Sequence, residues 1–152
     1  MTSALFDRVT RLFGALERAD WLPLLLLRAF VGYLFLELGW GKVHDLGAMT
    51  ERFADWGIPW PASSAALSSW TELVAGALVL VGLLTRPAAA ALAFNMLVAV
   101  VSVKLKKVES LADFVEIDEP LYGLVFLLLV FTGPGLVSLD HWLWRRFGRR
   151  EG

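Results

Sequence analysis

Cysteine is absent from the 152 residues, and histidine occurs only twice, as His44 and His141. The missing thiols exclude disulfides, thiol redox chemistry, cysteine-ligated iron–sulfur clusters and covalently attached c-type haem. Charge is scarce as well: 19% of residues are charged, against about 25% in an average soluble domain. The formal net charge of -1 leaves no basic excess for nucleic acid. What abounds is apolar, at 57% hydrophobic residues and a mean hydropathy of +0.62. That excess is gathered into four blocks of 19 to 21 residues, each long enough to cross a bilayer.

The blocks predict an all-α membrane protein built as a four-transmembrane-helix bundle, with spans at about 21–39, 64–84, 87–105 and 114–132. Residues 1–20 read as an amphipathic interfacial helix, with Leu5, Phe6, Val9, Leu12, Phe13 and Leu16 on one face. Charges interrupt that segment and it lacks an apolar h-region, so it does not read as a cleaved signal peptide. Residues 21–132 form the membrane domain, and 133–152 a basic, Trp-rich interfacial tail. Ser63 or Ser64 is expected to cap the second span, and Thr85 the third, with Pro87 in its first turn. Gly133-Pro134-Gly135 ends the fourth. Between the first two spans, Met49, Phe53 and Trp56 recur at helical spacing and predict a short outer-surface helix.

Lys and Arg near the span ends set the orientation. The two termini and the link between spans two and three hold 8, and the opposite side 5. With an even number of spans, both termini are expected in the cytoplasm, and the protein is placed as a multi-pass component of a bacterial inner (plasma) membrane, with the lipid bilayer as its surroundings.

Lipid gives helices no hydrophobic reason to associate, so small residues and polar contacts must hold them together. Each span offers such a stripe: Arg28, Gly32, Phe35, Gly39 and Lys42; Ser68, Glu72, Ala75 and Gly76; Ala88, Ala91, Asn95, Ala99 and Ser102; Glu119, Tyr122, Gly123 and Phe126. Depth counted from the span ends suggests a buried Arg28–Glu72 ion pair with Asn95 nearby. An unpaired Arg near mid-membrane costs about 2.5–3.5 kcal/mol or more. Such a pair either fixes helix register, or polarises a ligand carbonyl or relays a proton. Glu37 lies about 180° around the helix from Arg28, in an outer layer with Tyr33, Trp40, Lys42, His44, Lys104 and Glu119. Arg28, Glu37, Lys42, Glu72, Asn95, Glu119 and Tyr122 are therefore the candidates for a polar core or ligand site. An amphipathic pocket with aromatic walls and ionisable groups there suits a quinone headgroup, whose carbonyls need hydrogen-bond donors. His44 and His141 fall on opposite sides, so one haem cannot use both. No Gly-rich dinucleotide element and no metal-ligand spacing is present, and a metal site is not expected.

In order along the chain, Leu25-Leu26-Leu27-Arg28 with Gly32, Gly39-Trp40-Gly41-Lys42, Gly57-Ile58-Pro59-Trp60-Pro61, Thr71-Glu72-Leu73 with Gly76, Gly82-Leu83-Leu84-Thr85-Arg86, Glu119, and Gly133-Pro134-Gly135-Leu136-Val137-Ser138-Leu139-Asp140 resemble the DoxX family of small bacterial membrane proteins. The resemblance implies a four-span bundle and an association with thiosulfate:quinone oxidoreductase or with membrane complexes of thiol and superoxide defence. It places Arg28, Lys42, Glu72, Arg86, Glu119 and Asp140 in the family's polar pattern. Structural roles suit three residues: Arg86 at the inner turn, Ser138 as N-cap of the tail helix, and Asp140 as a cap or a partner of Arg86. The function expected is a quinone-binding or accessory subunit of a membrane-linked oxidoreductase system, with an oxidoreductase partner protein. The alternative is a non-catalytic scaffold. A homo-oligomer is compatible with either.

Overall fold

A computed structural model describes residues 19, 21–105, 110, 114 and 116–147; the expected amphipathic segment at 1–20 lies almost wholly outside them. Every regular element among the described residues is helical. Helix α1 runs Trp21–His44, α2 Leu46–Asp55, α3 Pro61–Val81, and α4 Thr85–Ala99, which continues as a π-helical turn through Val100–Lys104. Helix α5 spans Asp118–Thr132 and α6 Leu139–Phe147. Three helices are long and apolar enough to cross a membrane: Trp21–His44, Pro61–Val81 and Thr85–Lys104. At 15 residues, α5 rises about 22 Å, short of the roughly 30 Å of a hydrocarbon core.

Glycine fixes how α1 meets α3. A Cβ on Gly39 would sit 2.3 Å from the Leu73 nitrogen, one on Gly76 2.5 Å from the Leu36 nitrogen, and one on Gly32 2.5 Å from the Leu80 nitrogen. No side chain fits at those distances, so the two backbones touch between Gly32 and Gly39 of α1 and between Leu73 and Leu80 of α3. The three contacts share one antiparallel register, in which each step forward on α1 matches one step back on α3. Helices α4 and α5 pack along each other, α3 joins the two pairs, and α2 lies on α3. Phe35, Val79, Leu92, Phe126 and Leu129 fill the centre. A smaller cluster of Met49, Phe53 and Ala65 seats α2 on α3.

The outer surface is as apolar as the inside. Leu26, Phe30, Leu67, Phe94, Leu124 and Phe131 are all more than half exposed. In water such a continuous surface would be an association hazard; in lipid it is the required solvent face, with backbone polar groups satisfied inside the helices.

Two helix starts differ from the sequence expectation. Helix α3 begins at Pro61 rather than at the serines, because the fixed φ and missing N–H of proline suit a first helical turn. Trp60 precedes it at φ 49, and Ser64 Oγ donates to the Pro59 carbonyl at 2.8 Å instead of capping. Helix α4 begins at Thr85, two residues before Pro87, with Leu84 in the N-cap position. The α3–α4 turn is closed by Gly82 at φ 73: Gly82 N and Leu83 N both donate to the Leu78 carbonyl at 2.9 Å, in the manner of a helix C-cap.

Candidate functional site

The antiparallel register places Glu72 level with Trp40, two residues or about 3 Å along the axis from Lys42. Lys42 Nζ donates to Glu72 Oε1 at 2.7 Å and to Oε2 at 2.5 Å. Asn95 Nδ2, from α4, donates to Glu72 Oε1 at 3.0 Å. Ser68 Oγ then donates to Asn95 Oδ1 at 3.0 Å. Three helices thus converge on one carboxylate that is only 2% exposed, while the Lys42 side chain keeps 30% exposure. The arrangement suits both ends of the lysine: its stem lies along apolar surface while the ammonium reaches inward. Linked hydrogen bonds of this kind reinforce one another in a low dielectric.

The expected Arg28–Glu72 pair is not formed. In the glycine register Arg28 is level with Leu84, twelve residues or about 18 Å from the level of Glu72, beyond the reach of any side chain. Counting depth from span ends misplaced the pair because the two helices are not level at that end: Arg28, seven residues into α1, already lies beyond the α3 end at Val81. Arg28 is nonetheless buried, at 3% exposure. Its guanidinium donates to the Pro134 carbonyl and, at 2.6 Å, to the Val137 carbonyl. Gly82 makes room for it: a Cβ there would fall 2.6 Å from Nη1. Arg28 therefore binds the segment after α5 to the bundle.

Asp140 completes that end. Its Oδ1 accepts from Leu84 N at 2.8 Å and its Oδ2 from Thr85 N at 3.0 Å, so it caps α4 rather than its own helix. Its own N–H donates to the Gly82 carbonyl at 2.9 Å. Ser138 Oγ accepts from His141 N at 3.1 Å at the start of α6. Arg86 lies beside Gly133, where a Cβ would stand 3.2 Å from its Nε.

The remaining candidates separate. Glu119 pairs with Lys104 at 2.9 Å across α4 and α5. Tyr122 stacks edge-on against Phe35, 5.4 Å between centroids, and Phe35 meets Phe126 at 4.8 Å. Phe35, at the centre of that aromatic cluster, lies five residues or about 7.5 Å along α1 from the Glu72 level. Glu37 is exposed on the outer face of α1 and touches none of these groups, so it is no part of a polar core. His44 is also exposed, its Nδ1 2.8 Å from the Trp40 carbonyl. Among the described residues, no group of three His, Asp or Glu is placed to hold a metal ion. Sequence reasoning missed the Lys42–Glu72 pairing; the signal was Gly39, three residues before Lys42, matched by Gly76, four after Glu72.

The family model for DoxX matches residues 23–105. An uncharacterised membrane protein of Mycobacterium tuberculosis is 38% identical over 135 residues, covering 79% of this chain and 80% of its own. A Bacillus subtilis protein named "Putative oxidoreductase CatD" is 30% identical over 130 residues, covering 84% of this chain and 90% of its own. No solved structure matches. With more than half of its length matched by the family model and relatives aligned over most of the rest, this membrane protein belongs to the DoxX family.

Proposed function

We propose that the chain is a quinone-binding or accessory subunit of a membrane-linked oxidoreductase system. In this reading α5 is the described part of a fourth span beside α4, both termini are cytoplasmic, and Glu72 lies in the outer half of the bilayer. The apolar outer face of α5, with Leu121, Leu124 and Phe131 exposed, supports the fourth span. The excess of Arg and Lys on the terminal side supports the orientation.

The observation that carries the proposal is the buried Lys42–Glu72–Asn95 network. An ion pair that served only to join α1 and α3 would add little to a contact the glycines already make. Lys42 has three N–H donors and spends two directions on the Glu72 oxygens, leaving one for a carbonyl oxygen. Its 30% side-chain exposure gives that donor an approach from outside. Glu72 aims the lysine nitrogen and Asn95 fixes Oε1, so the remaining Nζ–H is presented within an apolar wall. A quinone supplies two hydrogen-bond-accepting carbonyls and takes up two electrons and two protons on reduction; the donors here match the first need. The electrons would come from a partner oxidoreductase, consistent with the name carried by the Bacillus subtilis relative.

Purified protein in lipid nanodiscs tests this. Quinone should co-extract with it, and a short-chain quinone should quench Trp40 and Trp70 fluorescence saturably. Lys42→Met and Glu72→Gln should each weaken that binding by about tenfold or more, the loss of a charged hydrogen bond. Absence of quinone, together with unsaturable quenching that both variants share, would favour a scaffold instead.

A further inference from the structure

The opposite end of the bundle holds a cavity of about 710 Å³ between the α3–α4 turn, the Pro134-Gly135 turn and α6. Its charged lining is mainly cationic, Arg86 from the start of α4 and Arg145 from α6, with His141 on the same face of α6 as Arg145. Neither arginine makes an ion pair or hydrogen bond with another described residue. The acid present, Asp140, has both carboxylate oxygens committed to the Leu84 and Thr85 amides. Thr85, also in the lining, is wholly buried, and its Oγ1 has no hydrogen-bond partner. The rest of the wall is apolar, from Leu84, Pro87 and Trp144.

Helix α6 sorts its own cations. Arg146 stacks over the Trp142 ring at 5.2 Å and is absent from the lining. Arg145 follows His141 by one turn and faces the cavity with it. Two unspent guanidinium forks, an unsatisfied hydroxyl and an adjacent apolar wall at a bundle end match a phosphate with a greasy remainder. Guanidinium groups bind phosphate oxygens in a bidentate fashion.

We propose that this cavity binds a phosphate-bearing amphiphile, its phosphate held by Arg86 and Arg145 and its apolar part laid against Leu84, Pro87 and Trp144. An anionic phospholipid headgroup meets that description, and free phosphate shares the polar half of it. The site is separate from the Glu72 layer and stands whether or not that layer takes a quinone.

The test is native mass spectrometry of the full chain in detergent, titrated with phosphatidylglycerol, phosphatidylcholine or inorganic phosphate. Phosphatidylglycerol should be retained in preference to phosphatidylcholine and displaced by excess inorganic phosphate. Arg86→Gln and Arg145→Gln should each weaken retention by roughly tenfold, and Arg146→Gln should leave it unchanged. Arg86→Lys and Arg145→Lys, which keep the charge but lose the fork, serve if either Gln variant fails to fold by circular dichroism; intermediate weakening is then expected. Phosphate binding without phosphatidylglycerol binding would overturn the lipid assignment. Equal losses in Arg145→Gln and Arg146→Gln would overturn the site itself, since that is diffuse surface attraction.

Discussion

Replacing Lys42 by Met removes the cation but leaves the Glu72 carboxylate buried, with Asn95 as its remaining donor. Breaking a buried ion pair from one side costs about 3–5 kcal/mol. The expected loss for Lys42→Met is therefore about 3–5 kcal/mol. Adding Glu72→Gln to Lys42→Met removes the stranded charge while keeping a group that Asn95 can meet. The double variant should therefore recover about 2 kcal/mol or more relative to the single, a coupling in the range seen for contacting groups. The assay is reversible denaturant unfolding in mixed micelles at pH 7, followed by tryptophan fluorescence. Wild-type stability in Lys42→Met at pH 7, or a double variant no better than the single, would refute the reasoning.

Other outcomes follow from the same geometry. Gly39→Ala places a methyl 2.3 Å from the Leu73 nitrogen and should cost about 3 kcal/mol or prevent assembly, whereas Gly41→Ala, with nothing within 4 Å, should be neutral in the same unfolding assay. Asp140→Ala strips the cap from α4 and should lower stability by about 0.5–2 kcal/mol, with faster amide exchange at Leu84 and Thr85. Glu37→Leu should change stability by less than about 0.5 kcal/mol, since that side chain is exposed and outside the network.

Much of this architecture could be read directly from residue order. Apolar length located the long helices, and the small-residue stripes identified faces that do meet: Gly32, Phe35 and Gly39 on α1, and Glu72, Ala75 and Gly76 on α3, are all buried. Ala91, assigned to the inner stripe of the third span, is instead exposed, and its neighbours Ala88, Ala89 and Leu92 take the core positions. Which polar group meets which was not legible from depth alone, because depth depends on where each helix starts and stops. Lys42 was invisible as the partner of Glu72 while the first span was ended at Gly39. The glycines carried the missing information, since close backbone approach fixes register to a single residue. Asp140 capping α4 lies beyond local reasoning altogether, for the cap and the helix it serves are 55 and 56 residues apart. The same holds for Arg28, whose acceptors lie more than a hundred residues downstream.

The absence of native cysteine makes the central claim, that Glu72 faces Lys42 at one end while Arg28 serves the other, directly measurable by cross-linking. Two variants in lipid, Lys42→Cys with Glu72→Cys and Arg28→Cys with Glu72→Cys, would be treated with a short bis-methanethiosulfonate linker and scored by mass spectrometry. The first pair should link within one chain in high yield and the second should not. Linkage of the Arg28 pair, or failure of the Lys42 pair in a folded sample, would contradict the register on which the site is built.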